Sequence, residues 1–117
     1  MSDLRSHCEY IAEDVTKMVN DPEVWMAEND IDDEFCHHIS AWFDTVLDIE
    51  MFIGINGTYR GSKIMVAYGG PNIYVNTRTG AVEGYWWGEQ ASAEIPHEVC
   101  EALDEYINEI RGVICDD

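Results

Sequence analysis

Cysteine and histidine come together three times along this chain: His7-Cys8, Cys36-His37-His38, and His97 with Cys100. Thiolate and imidazole are ligands that zinc favours, and a Cys near a His is also the raw material of a thiol nucleophile. His97 and Cys100, three residues apart on a helix, could share one metal ion. Against that, Cys8, Cys36 and Cys100 each fall on an apolar helical stripe, where a free thiol behaves as a small hydrophobe. His37 and His38 point about 100° apart on a helix. No recognised zinc spacing, C-x-x-C included, is present. The acids of residues 28–34 suit calcium no better, because a loop starting at Asp30 would need Gly where Phe35 stands. Gly69-Gly70 enters a strand and is followed by no Gly-Lys-Ser/Thr, so it is not a phosphate loop. Arg60, Lys63 and Arg78 are the only bases between residues 51 and 95, and they are scattered. The expectation is a protein that is not an enzyme, with no catalytic group, no metal ligand and no cofactor.

The residues that stand out instead are acids. The 117-residue chain has 24 Asp and Glu against 6 Lys and Arg, a formal net charge of −18. Residues 1–50 hold 14 acids and 2 bases, residues 51–95 hold 3 of each, and residues 96–117 hold 7 acids and 1 base. Within the last segment Glu98, Glu101, Glu105 and Glu109 recur at steps of 3, 4 and 4, one face of a helix, with Asp104 on the flank. No Lys or Arg stands four residues from any of them. Like charges at that spacing destabilise a helix by about 0.2–0.5 kcal/mol per pair, and only Glu98, in the first turn, is favoured by the helix dipole. Such a row runs about 16 Å with a carboxylate roughly every 5 Å, against about 3.4 Å per charge along one DNA strand. Asp30, Asp32 and Asp33 form a second acidic cluster. These eight acids, with Tyr85 and Trp87, are the candidate partner-binding residues. Solvation of a small protein, or adaptation to high salt, would also produce an acidic surface, and those readings stay open here.

The elements that position these groups follow from apolar periodicity. Leu4, Cys8, Ile11, Val15 and Met18 predict a helix over 3–19. Asn20-Asp21-Pro22 stops it and starts a short helix through Trp25 and Met26. Phe35, Ile39, Trp42 and Val46 predict a third helix over about 32–47, with Asp30 or Asp32 as its N-cap. The period then changes to two. Strands are expected at Met51–Ile55, Lys63–Tyr68, Ile73–Asn76 and Ala81–Trp87, with turns at Asn56-Gly57 and Thr77–Gly80. Pro96 opens a last helix to about residue 114, with Cys100, Leu103, Ile107, Ile110 and Ile114 inward. The fold class is α+β: N-terminal helices, a four-stranded antiparallel meander, and a C-terminal helix packed on the sheet. One domain, 1–117, accommodates all of it. In the segment GGPNIYVNTRTGAVEGYWWGEQ, Ile73, Val75, Val82 and Trp86 should face the core. Tyr74, Tyr85 and Trp87 should lie on the other face, where a one-sided sheet usually puts polar groups. They either pair across strands or form a contact surface.

The pI near 4.2 argues against direct nucleic-acid and anionic-membrane binding, which need Lys and Arg. It favours a basic partner. No apolar run reaches membrane-spanning length, and no secretory signal pattern is visible. A cytoplasmic protein of a bacterial or archaeal host cell, with reduced cysteines, is the expectation.

In its length, its −18 charge, its uncompensated Glu98/Glu101/Glu105/Glu109 face and its compact meander flanked by helices, the chain resembles the small acidic anti-defence proteins of phages and mobile elements, of anti-CRISPR or antirestriction type. The resemblance is one of type over the whole chain, and no binding residue is carried over from it. It implies a stoichiometric inhibitor of anti-CRISPR type that mimics nucleic acid and binds a basic protein such as a CRISPR–Cas effector or a nuclease. The alternatives are an immunity protein neutralising a toxin nuclease, whose class is also small, acidic and often α+β, and a Cys/His metal-binding regulator.

Overall fold

The computed structural model describes residues 3–31 and 38–115, with side chains through position 111. Helix α1 (Asp3–Asn20) buries Leu4, Cys8, Ala12, Val15 and Met18. The stripe is the expected one except that Ala12, not Ile11, faces the centre and Ile11 is half-buried. Pro22 begins α2 (Pro22–Glu28), whose Trp25 and Met26 are buried. The Trp25 indole N–H donates to Asp14 at 2.9 Å, so this large ring is buried with its one polar atom satisfied.

The start of the helix expected over 32–47, with Asp30 or Asp32 as its N-cap, lies outside the described residues. Asp30 itself stands at the end of α2. Its φ is +56°, and the next residue, Ile31, donates its N–H to the Met26 carbonyl at 2.9 Å. That is the left-handed C-terminal cap, which Asp tolerates better than most residues. Helix α3 (His38–Phe43) is the described part of the helix expected over 32–47; Asp32, Asp33 and Phe35 lie outside the described residues. It ends earlier than expected. Thr45 and Val46 donate to the carbonyls of Trp42 and Phe43, so Val46 sits in a tight turn, and Leu47 already bonds to Met65.

The sheet has five strands where four were expected: β1 (Asp48–Ile53), β2 (Tyr59–Ala67), β3 (Asn72–Asn76), β4 (Ala81–Trp86) and β5 (Glu89–Glu94), an antiparallel meander in chain order. β1 starts and ends earlier than expected, and β2 starts four residues earlier. β4 stops at Trp86. Trp87 (φ +53°) and Gly88 (φ +80°) make the two-residue connection to β5, with both residues at positive φ as a type I′ hairpin requires. Gly57 and Gly80 take the positive φ that their turns imply.

Helix α4 (His97–Cys115) buries Val99, Cys100, Leu103 and Ile107. α1 packs on β4 and β5, α4 packs on β2, and the two helices touch. Their buried side chains form one cluster with Ile64, Ile73, Val75 and Val82. Phe43 stacks on Tyr106 at 4.7 Å between ring centroids, tying α3 to α4. Gly84 lets α1 approach: a Cβ there would lie 2.7 Å from Cys8 Sγ and 2.8 Å from Leu4 Cδ1. The coarse architecture, helices before and after an antiparallel sheet, is as expected.

Candidate partner-binding site

The α4 acids divide into two kinds. Glu98, Glu101, Glu105 and Glu109 are all exposed, in the row their spacing implies. Glu101 meets the exposed imidazole of His97 at 3.1 Å. Among the described residues, none of the four has a Lys or Arg within ion-pair distance. The row is therefore an unneutralised surface, held straight by a helix whose other face is core.

Asp104 is different. It is half-buried and turned toward the sheet, where its Oδ1 accepts from the Tyr59 hydroxyl and from Thr77 Oγ1, both at 2.7 Å. Thr77 Oγ1 in turn accepts the Ser62 N–H at 2.9 Å, and the Ser62 hydroxyl bonds to that of Tyr59. Burial pushes the Tyr59 phenol well above its ordinary range, and the neighbouring Asp104 carboxylate adds to the rise. This network fastens α4 to β2 and to the β3–β4 turn. Sequence reasoning could not separate Asp104 from its neighbours, because its partners lie 27 and 45 residues away.

The second acidic cluster is less informative. Asp30 is exposed at the end of α2, and Asp32 and Asp33 are outside the described residues.

On the sheet face opposite the core, the Tyr74 and Tyr85 rings pair edge-to-face at 6.1 Å, and Lys63 Nζ stands 4.4 Å from the Tyr74 centroid and 5.9 Å from that of Tyr85. Cross-strand pairing thus half-buries both tyrosines. Trp87, expected on the same face, is on the turn instead and is 87% exposed. It stands beside residues that the sequence did not single out. Tyr68, 74% exposed on the β2–β3 loop, joins Tyr85, Trp86 and Trp87 around a cleft of about 560 Å³ at this end of the sheet. Gly69, Gly70, Asn72, Gly88, Glu89 and Gln90 complete its walls, and no Lys or Arg lines it. The signal was the two-residue Trp87-Gly88 turn, which brings β5 alongside β4 and Glu89 opposite Trp86.

Among the described residues the Cys/His groups do not assemble; Cys36 and His37 lie outside them. His97 is exposed and pairs with Glu101, whereas Cys100 is buried in the core. Burial, and after it the nearby Asp104 charge, push the Cys100 thiol up; burial and then Glu9 do the same to Cys8. Both thiols are therefore held protonated, the reverse of what a ligand or nucleophile needs. Among the described residues no group of three or more His, Cys, Asp or Glu side chains is placed to hold a metal ion. No helix among them is long and apolar enough to cross a membrane. No family model, curated protein or solved structure matches this chain.

Proposed function

We propose that this chain is a stoichiometric protein inhibitor that binds a basic, nucleic-acid-handling protein, most specifically a CRISPR–Cas effector, in place of its nucleic acid. The observation that carries this reading is the exposed row Glu98, Glu101, Glu105 and Glu109, which has no Lys or Arg partner among the described residues. Beyond Glu98 in the first turn, a helix gains nothing for its own stability from such a row. A basic groove built for phosphates does gain from it: charge complementarity raises the association rate and suppresses acidic competitors. The rigid spacing matters as much as the charge, because carboxylates on one helix face present themselves without a further ordering cost.

The test is capture by tagged protein from a lysate that contains CRISPR–Cas and restriction systems, across a salt series and read by mass spectrometry. The expected result is one basic effector or nuclease, released as salt rises and displaced by its own DNA or RNA. A captured protein that its nucleic acid does not displace would contradict mimicry.

A further inference from the structure

The aromatic cleft at the β4–β5 turn is an unusual use of tryptophan. Trp87 is 87% exposed and sits at φ +53°. A bulky residue in that region is strained, and the ring recovers little of the cost through burial. Asn would serve a type I′ turn better. Neither packing nor turn chemistry accounts for the indole, so its return lies in a contact outside the chain.

The lining states what kind of contact. Tyr68, Tyr85, Trp86 and Trp87 bring four aromatic rings to the cleft, and the quadrupole of such a ring attracts a cation over its face. Glu89 and Gln90 stand at the same opening and make no ion pair or side-chain hydrogen bond with another described residue. No Lys or Arg lines the cleft, and the chain as a whole carries −18. The sheet already holds one cation in this manner, Lys63 over Tyr74, which occupies part of the surroundings of Tyr85 and leaves Tyr68, Trp86 and Trp87 without a cation.

We propose that this cleft takes an arginine side chain of the basic partner, its guanidinium stacked on Trp87 and paired with Glu89. The proposal rests on the reading of the chain as a binder of a basic protein. A guanidinium suits the site better than an ammonium, because it is planar, less strongly hydrated and able to bond a carboxylate through two N–H groups. Arg and aromatic anchors are also the residues in which interface energy concentrates. The α4 row would then guide the partner, and the cleft would fix its register.

The experiment is a titration of the full chain followed by the indole N–H signals of its tryptophans, with Trp87 assigned through Trp87→Phe. The probes are N-acetyl-arginine methylamide, its lysine counterpart, its neutral citrulline isostere, and cellobiose as an uncharged stacking ligand. Arginine should move the Trp87 signal saturably, lysine more weakly, and citrulline and cellobiose not at all. Glu89→Gln should weaken the arginine response about two- to fivefold, the range of one ionic or cation–π contact at an exposed site. Trp87→Asn, which keeps the turn, should abolish the accompanying shifts of the Tyr68 ring. Equal response to citrulline or cellobiose, or no saturable movement with arginine, would overturn the proposal. The variant Glu101→Gln/Glu105→Gln/Glu109→Gln should leave the titration unchanged while weakening partner capture, so failure of the cleft and failure of the inhibitor reading are told apart.

Discussion

Asp104 and Glu105 are neighbours on one helix in opposite surroundings. Glu105 is exposed with no ion-pair partner among the described residues, and Asp104 receives two hydroxyl donors from the sheet. Asp104→Ala should therefore cost about 1–3 kcal/mol in chemical denaturation, since it strands Tyr59 and Thr77 without their acceptor. Glu105→Gln should cost nothing measurable. Tyr59 adds a pH signature. Its phenol is held protonated in the fold, so its folded pKa is raised above the unfolded one. Its contribution is complete below the ordinary tyrosine value of about 10 and is lost as pH rises beyond it. The raised thiols of Cys8 and Cys100 act in the same direction from about pH 9. Melting temperature should thus decline on the alkaline side, and Tyr59→Phe should flatten the part above about pH 10. Trp87 gives the reverse case. Trp87→Asn relieves a strained turn and uncovers no core, so it should raise stability by about 1 kcal/mol; a clear fall would mean that the ring is a packing residue.

At the scale of elements, the helices and the central strands were legible because their apolar residues repeat at 3.6 or at 2. β5 was not. Its inward residues are Ala91 and Ala93, opposite Gly84 and Val82 on β4. Small residues stand there because α1 lies close over β4 and β5, so the packing that makes the strand necessary also removes its hydrophobic signal. The β1 edge was obscured differently: Asp48 and Glu50 are poor strand formers, tolerated at an edge that is half solvated. The acidic row was readable from spacing alone, because exposure on a helix follows from periodicity. The cleft was not, since it needs Tyr68 and Trp87, separated in sequence by β3 and β4, to meet across the sheet end. Close approach of α1 can be tested at Gly84. Gly84→Ala places a methyl against Cys8 and Leu4 and should cost about 1–3 kcal/mol, read as a lower denaturation midpoint with unchanged slope.

The whole molecule separates charge from aromatic surface: residues 1–50 and 96–117 carry 21 of the 24 acids, and the sheet, which shares the core with the helices, carries the aromatic, near-neutral surface. The chain measures 48 × 39 × 25 Å, comparable to the screening length of about 30 Å at 0.01 M salt and far beyond the roughly 8 Å at 0.15 M. At low salt its acids therefore repel one another across the entire body. Melting temperature should rise with added NaCl over that range, whereas affinity for a basic partner should fall. Opposite salt responses of folding and binding separate a surface that serves recognition from one that only tolerates salt.

The most direct test of the central claim is the salt dependence of affinity for the captured partner, wild type against Glu101→Gln/Glu105→Gln/Glu109→Gln. The expected result is a strong loss of affinity at low salt and a shallower salt slope, with the fold intact or steadier by a few tenths of a kcal/mol per relieved pair. Unchanged affinity and slope in a folded triple variant would remove the α4 acids from recognition and contradict the inhibitor reading built on them.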